Sequence, residues 1–206
     1  MEKKRFLKEY IEPIVIAVLI ALFVRSFVVQ AFKIPSSSME PTLLVGDYLL
    51  VNKFLYGIRI PFTDKKILQL KKPQRGDIVV FIYPKDRSKD FIKRVMGQGG
   101  EKVEIVRNKI YINDQLINDP WGHYSEKNPW IRYLAPMESF GPVVVPKDSL
   151  FVLGDNRDNS QDSRFWGFVS LNEVRGKAFI IYFSLDWPAK GLFDKIRWVR
   201  IGKLIH

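Results

Sequence analysis

The sequence predicts a mainly β fold, with an N-terminal transmembrane helix, an antiparallel β-sheet domain and a smaller inserted β-rich cap. Short runs rich in β-branched and aromatic residues, such as YLLVNKF, DIVVFIY and AFIIYF, recur after the N-terminal apolar segment. Gly, Pro, Asn and Asp separate these runs, as expected for strands joined by turns. The chain has no internal repeat and no regular alternation of strand and helix, which would be typical of a parallel sheet.

Composition narrows the possible chemistry. The 206 residues include 33 Lys and Arg against 22 Asp and Glu, a formal charge of +11, and no cysteine. Without cysteine there can be no disulfide, thiolate metal site or cysteine nucleophile. The positive charge predicts an anionic partner, either phospholipid head groups or nucleic acid. A histidine-based metal site or a Ser-His-Asp triad would have to use His123 or His206, since these are the two histidines.

The N-terminal segment predicts a membrane anchor. Residues 1–10 are basic and are predicted to be cytoplasmic, and residues 11–31 form the anchor. A helix from Pro13 to Phe32 would span roughly 30 Å, the thickness of one bilayer core. Everything after Ala31 would then be exported. Two alternatives remain open, namely a signal peptide cleaved after Ala31 and a buried core helix.

The rest of the chain divides into a main β domain and an insertion. The segment EIVRNKIYINDQLI predicts two hairpins, with turns at Arg107-Asn108 and Asn113-Asp114. This segment belongs to residues 97–146, which have their own turns and are predicted to form the cap subdomain. Residues 32–96 and 147–206 are predicted to form the main, catalytic β domain.

Two stretches could supply a nucleophile and its base. The first is IPSSSMEPTLLVGD, in which three serines follow the apolar segment. A serine hydroxyl needs a neighbouring base to attack, and the cluster could equally be a linker. The second is Phe91–Met96, a strand that is mostly apolar on both faces. Burial there would lower the pKa of Lys93 and make it a candidate base, while Arg94 would need a carboxylate partner. The alternative is an edge strand with side chains that reach out to solvent.

Two further stretches are polar or amphipathic. The loop GDNRDNSQDSR follows a predicted strand and is expected to form a hydrogen-bonded support for a site. A calcium loop is disfavoured, because the EF-hand spacing and its closing glutamate are absent. Near the C-terminus, Trp187 and Trp198 lie among basic residues. This pattern suits a membrane interface, single-stranded nucleic acid or a tail packed on the sheet.

These signals, in this order, resemble bacterial type I signal peptidase. The resemblance runs from the anchor to the C-terminus. Its motifs lie at Pro35–Asn52, Arg75–Phe81, Phe91–Val103 and Gly154–Val169. The segment around Asp119–Phe140 is the least diagnostic part.

The resemblance implies a role for each motif residue. Ser38 is the nucleophile and Lys93 the general base. The backbone N–H of Ser38 and the hydroxyl of Ser36 form the oxyanion hole, and Ser160 hydrogen-bonds Lys93 and orients it. The expected salt-bridged support consists of Arg94, Asp155, Asp162 and Arg164. The expected substrate-pocket linings are Ile34, Met39, Val80 and Ile92.

The implied function is a membrane-bound serine endopeptidase that removes N-terminal signal peptides from exported preproteins. It would cut after small residues of the Ala-x-Ala type through an acyl-enzyme, with no metal or organic cofactor. Its partners would be signal peptides emerging from the export machinery and membrane phospholipids, but not nucleic acid. It would be a single-pass protein of the bacterial cell (inner) membrane, with its N-terminus cytoplasmic and its catalytic domain on the exported side.

Three other functions remain open. One is a self-cleaving repressor-type Ser-Lys protease, although the N-terminal segment occupies the place of its DNA-binding helices. Another is a membrane-tethered β domain that binds lipid or nucleic acid, for which Ser38 and Lys93 would be dispensable and binding would fall steeply with salt. The third is a secreted β protein without its first 31 residues.

Overall fold

The computed structural model describes residues 7–23, 28–59, 66–67, 70–124, 139–191 and 193–206. A π-helical turn at Leu7–Ile11 precedes helix α1 (Glu12–Phe23), and helix α2 (Ser163–Trp166) follows much later. Short 3₁₀ helices lie at Phe54–Tyr56, Arg157–Asn159, Leu171–Glu173 and Trp198–Arg200. The strands, in chain order, are β1 (Val29–Lys33), β2 (Asp47–Asn52), β3 (Ile58–Arg59), β4 (Lys66–Ile67), β5 (Ile78–Ile82), β6 (Asp90–Gln98), β7 (Lys102–Val106), β8 (Lys109–Ile112), β9 (Gln115–Leu116), β10 (Ser139–Val144), β11 (Ser149–Leu153), β12 (Val169–Ser170) and β13 (Val174–Ser184).

The described strands form antiparallel sheets, as the sequence predicts. The largest sheet has seven strands in the order β1-β2-β13-β5-β6-β11-β12. A four-stranded sheet has the order β10-β7-β8-β9, and β3 pairs with β4. Every pairing between these strands is antiparallel. The mainly β, antiparallel fold class is therefore confirmed.

The two predicted hairpins are present in the four-stranded sheet. Arg107 and Asn108 join β7 to β8, and Asn113 and Asp114 join β8 to β9. All four turn residues have positive φ, at 49°, 66°, 51° and 66° in that order. Positive φ at both central residues is the geometry of the type I′ turn, which suits the twist of a hairpin. The four strands fall within the segment 97–146. The boundaries of the cap stay a prediction, because residues 125–138 lie outside the described part of the chain.

The predicted extent of the anchor helix is wrong at its C-terminal end. The described part of helix α1 runs to Phe23, and Val29–Lys33 is a strand paired with β2, in which Ala31 lies opposite Leu50. Val29 is β-branched and Phe32 is aromatic, and Phe32 packs against the core of the main sheet, which favours a strand. Residues 24–27 of the predicted span lie outside the described residues. Among the helices that the structure describes, none has both the length and the apolar character needed to cross a bilayer.

Strands β5 and β6 lie at the centre of the large sheet and are covered on both faces. Ile78 and Val80 of β5 belong to one apolar cluster, whereas Val79 and Phe81 belong to another. All five residues of β5 are buried. Because Val79 lies opposite Lys93 and Ile78 opposite Arg94, this pairing brings two basic residues of β6 into the interior.

Candidate active site

Lys93 and Ser38 meet at the edge of the buried centre of the sheet. The Nζ of Lys93 donates a hydrogen bond of 2.6 Å to the Oγ of Ser38, and a second of 3.0 Å to the carbonyl of Ile92. Strand β6 holds Lys93, which is 3% exposed. Ser38 lies at the start of the turn that follows β1 and its connecting bend. A nucleophile and a base within hydrogen-bond reach are the minimum arrangement for covalent catalysis.

Burial makes Lys93 a usable base. Loss of solvation lowers the pKa of Lys93 to about 8, and the carboxylates of Asp162 and Asp155 oppose this by favouring the ammonium. An ordinary lysine, with a pKa of about 10.4, is almost entirely protonated near neutral pH. Lys93 is instead half neutral near pH 8, so it can accept the proton of Ser38.

Ser36 lies beside the nucleophile. Its Oγ is 3.5 Å from the Oγ of Ser38, and its side chain is exposed. A hydroxyl in this position can rotate to donate to an oxygen that develops negative charge next to Ser38.

The side chain of Arg94 is fully buried, and all three of its guanidinium nitrogens donate hydrogen bonds. Its Nε and Nη2 donate to the two carboxylate oxygens of Asp155, at 2.8 and 2.7 Å. Its Nη1 donates to the carbonyls of Gly76 and His206. The hydroxyl of Thr42 donates to Asp155 at 2.6 Å. This two-point hydrogen bonding compensates the buried charges of Arg94 and Asp155. It supplies the carboxylate partner that the sequence predicted for Arg94.

The other predicted support residues form a second buried ion pair. Asp162 accepts from the Nε of Arg164 at 2.8 Å and from the backbone N–H of Gly154 at 3.1 Å. Arg164 also donates to the carbonyl of Arg157. Asp155 and Asp162 thus each have an arginine partner. Within the described residues, no group of three or more histidine and acidic side chains could hold a metal ion.

Ser160 lies at the site without the predicted hydrogen bond. It is 5% exposed and lines the same cavity as Lys93, but its Oγ has no hydrogen-bond partner among the described residues. Gly154 is packed tightly against it. A Cβ at position 154 would lie 2.2 Å from the Oγ of Ser160 and 2.4 Å from the carbonyl oxygen of Ser38. Only glycine allows this close approach.

An open cavity of about 490 Å³ lies over the two reactive side chains. Its wall combines apolar side chains, including Phe91 and Phe165, with the serines and polar residues of both loops. Of the four predicted pocket residues, Ile92 lines this cavity. The other three, Ile34, Met39 and Val80, are instead buried in the core cluster against which Ile92 packs, because they are apolar side chains of the central sheet and its adjoining loop.

Comparison with known proteins identifies the family of this chain. The family model described as "Signal peptidase, peptidase S26" matches residues 7–183. The chain belongs to this family. A signal peptidase I from Pseudomonas fluorescens is 38% identical over 98% of this chain and 81% of the relative. A signal peptidase I from Aquifex aeolicus is 35% identical over 89% of this chain and 87% of the relative. A solved signal peptidase I from Enterococcus faecalis is 34% identical, with a TM-score of 0.42, over 52% of this chain and 97% of that chain.

Membership in the signal peptidase family sets the class of reaction. The enzyme is a hydrolase, a serine peptidase that removes signal peptides. The resemblance noted from the sequence is thereby confirmed.

Sequence reasoning missed several side chains that contact the site. Thr42 and the asparagines 156 and 159 lie within stretches that the sequence singled out, and their hydrogen-bonding side chains were the available signal. Trp121 carries no such signal. Its ring lies 4.5 Å from the guanidinium of Arg94, a contact that tertiary folding creates between distant segments.

Proposed function

We propose that this signal peptidase is bound to the membrane and cuts exported preproteins after small residues by a Ser38–Lys93 dyad. The observation that carries the proposal is the 2.6 Å contact between the Nζ of Lys93 and the Oγ of Ser38. Burial supports it, because the lowered pKa of Lys93 leaves a neutral amine at moderately alkaline pH.

The first half-reaction is acylation of Ser38. Neutral Lys93 takes the proton of the Ser38 hydroxyl as the Oγ attacks the carbonyl carbon of the residue before the cleavage site. The resulting oxyanion is stabilised by the backbone N–H of Ser38 and the hydroxyl of Ser36. When the C–N bond breaks, the ammonium of Lys93 gives its proton to the departing amine. The signal peptide is left as an ester on Ser38.

The second half-reaction is hydrolysis of that ester. Lys93, neutral again, takes a proton from a water molecule that attacks the ester carbonyl. Collapse of the tetrahedral intermediate releases the signal peptide as a carboxylic acid, which then loses its proton to solvent, and the Oγ of Ser38 recovers a proton from Lys93. The same side chain thus serves as base and acid in turn.

The support residues act through the dyad rather than on the substrate. Asp155 and Asp162 favour the ammonium of Lys93, so that desolvation does not lower its pKa further. Arg94 and Arg164 compensate the buried carboxylates. Ser160 lines the same cavity as Lys93, and its hydroxyl, which has no hydrogen-bond partner among the described residues, is available to orient the amine.

The cavity wall supports a preference for small side chains. Ile92 lines the cavity and packs on the cluster that contains Ile34, Met39 and Val80. Well-packed interiors do not yield readily to large groups, so we expect the cavity wall at Ile92 to admit alanine and reject bulky residues.

Two surfaces support attachment to phospholipid. The apolar side chains of α1 are exposed on all sides, with Ile14 61% and Leu19 60% exposed, which indicates an apolar environment. Trp187 and Trp198 are also exposed, and the Nζ of Lys33 lies 5.3 Å from the Trp187 ring. Aromatic and basic side chains together suit an anionic interface. We place the N-terminus in the cytoplasm and the catalytic domain on the exported side of the bacterial cell membrane.

A preprotein series tests the specificity. We expect efficient cleavage with Ala at the −1 and −3 positions. Leu at −1 should lower kcat/KM by at least about tenfold, since one bulky side chain changes pocket binding by about 1–3 kcal/mol. The matched control places the same Leu at −2. Equal cleavage of the −1 Ala and −1 Leu substrates would refute the small-residue preference.

A further inference from the structure

Ser37, the middle serine of the cluster, has no role in the mechanism above. It is nevertheless the residue through which the serine loop is hydrogen-bonded to the loop that carries Asn156 and Asn159. Its Oγ accepts a 2.8 Å hydrogen bond from the Nδ2 of Asn159. Its carbonyl accepts from the Nδ2 of Asn156 at 3.1 Å and from the N–H of Glu40 at 3.0 Å. The next carbonyl, that of Ser38, accepts from the N–H of Asn156 at 3.2 Å.

The two asparagines are spaced to reach one residue. Asn156 is the N-cap of the 3₁₀ helix Arg157–Asn159, so the asparagines are three positions apart. Both side-chain amides donate to Ser37, that of Asn156 to its carbonyl and that of Asn159 to its Oγ. Gly154, just before them, lets the carbonyl of Ser38 approach where a Cβ would collide with it.

The asparagine loop is itself rigidly held. The side chain of Arg157 is buried, donates to the carbonyl of Gly154 at 3.0 Å and forms a two-point ion pair with Asp119. The carbonyl of Arg157 accepts from Arg164 at 2.7 Å. The loop that holds Ser37 is thus fixed to the interior by two arginines.

The serine loop has few restraints of its own. Residues 36–38 lie in a bend and the start of a turn, outside the described strands. Ser36 contributes a contact of 3.5 Å to Ser38, and Lys93 holds the reactive oxygen itself. A loop of this kind needs an external support to keep the nucleophile in place.

We infer that Asn159 and Asn156 are positioning residues. Their hydrogen bonds to Ser37 keep the neighbouring Ser38 in place against Lys93. The inference rests on the proposed dyad. It assigns different roles to the three serines: Ser36 donates to the oxyanion, Ser37 is the anchor and Ser38 attacks. A small displacement of the nucleophile lowers the rate of acylation much more than it lowers the binding of a peptide.

A double-mutant cycle between Ser37 and Asn159 tests the inference in the full-length enzyme. Ser37→Ala and Asn159→Ala should each lower kcat by about threefold to tenfold, the range for one lost hydrogen bond. KM should stay within about twofold, since binding is not the step affected. The double variant should be no slower than the slower single variant, because both changes remove the same hydrogen bond. Ser37→Thr, which keeps the hydroxyl, should retain most of the rate.

Asn172→Ala is the matched control, since Asn172 is an exposed asparagine in another three-residue 3₁₀ helix. It should not change kcat. Thermal unfolding of each variant should match that of the wild type, and if Asn159→Ala does not fold, Ser37→Ala alone decides. Additive losses, unchanged kcat, or a rise in KM alone would overturn the inference. Ser38→Ala is assayed in parallel to test the dyad separately. If Ser38→Ala still cleaves the preprotein, both the dyad and the positioning role of the asparagines are wrong.

Discussion

The amine of Lys93 is buried against the hydroxyl of Ser38, with 2.6 Å between Nζ and Oγ. Since burial lowers the pKa of this lysine to about 8, the neutral base becomes more abundant as the pH rises. We expect kcat/KM for preprotein cleavage to increase with pH, with a midpoint near 8 and a plateau above about pH 9.

The midpoint discriminates between a buried and an exposed base. A rate that rises only near the pKa of an ordinary lysine, about 10.4, would mean that Lys93 is solvated in the working enzyme. A value of kcat/KM that does not change between pH 6 and 9 would show that Lys93 does not take part in the proton transfer. Measuring kcat/KM, rather than kcat, reports on the free enzyme.

Burial of Lys93 also has a consequence for stability. Its folded-state pKa is lowered, so between about pH 8 and the unfolded value of 10.5 the unfolded chain binds a proton that the folded chain does not. The free energy of unfolding therefore rises with pH through this window, and below it the cost of burying the amine is fully present. Lys93→Met should stabilise the protein by about 3 kcal/mol at pH 7, with the gain shrinking as the pH rises from about 8 to 10.5.

Denaturant unfolding at several pH values measures this difference. Lys203→Met, at an exposed position, serves as the control and should show no pH-dependent gain. A Lys93→Met gain that is the same at every pH would come from packing alone and would contradict the assigned desolvation.

Breaking the buried Arg94–Asp155 pair should destabilise the fold much more than breaking an exposed ion pair. Both side chains have 0% exposure. Arg94→Met leaves the Asp155 carboxylate buried without its partner, which typically destabilises by about 3–5 kcal/mol. By comparison, Arg87→Met removes a pair with Glu173 in which the arginine is 61% exposed, and should cost no more than about 1 kcal/mol. Equal losses in urea unfolding would show that burial does not set the strength of these pairs.

The aromatic C-terminal surface should enter lipid. Trp187 and Trp198 are 57% and 60% exposed and come from segments that pair through Leu185 and Ile196. Because the chain has no cysteine, Trp198→Cys can be labelled at one site with an environment-sensitive dye. Its emission should shift to the blue on adding vesicles with anionic phospholipid, and less so at high salt.

Leu116→Cys provides the control for that experiment, since Leu116 is 56% exposed on β9, in the four-stranded sheet. Its dye should not shift. Similar shifts at both positions, or none at position 198, would exclude this surface as the lipid contact.

Strand composition and turn chemistry made much of the fold predictable. Short runs of β-branched and aromatic residues, separated by turn residues and without regular strand–helix alternation, predicted antiparallel sheets. The pairs Arg107-Asn108 and Asn113-Asp114 marked two turns whose residues all have positive φ. The apolar character of both faces of Phe91–Met96 predicted the burial of Lys93 and the need of Arg94 for a carboxylate. Each of these features depends mainly on residues that are close together in the sequence, which is why the sequence could predict it.

Features that depend on distant segments were not predictable in the same way. Val29–Lys33 is apolar enough to continue a helix, but pairing with β2 makes it a strand. The motif resemblance placed Asp155 and Asp162 in the support without pairing either with Arg94, and the Arg94–Asp155 pair follows only from the folded structure. The hold of Asn159 on Ser37, across 122 positions, arises only when the two loops fold together. Ser160 was expected to bond Lys93, and its Oγ instead has no partner within the described residues.

The most direct test of the dyad is cleavage of a preprotein with an Ala-x-Ala site, in detergent near pH 8. The wild type would be compared with Ser38→Ala, Lys93→Ala and the control Lys89→Ala, whose lysine is exposed and paired with Asp86. We expect folded Ser38→Ala and Lys93→Ala to lose cleavage while Lys89→Ala cuts at the wild-type rate. Cleavage by folded Lys93→Ala at the wild-type rate would show that another base serves Ser38, and would contradict the mechanism.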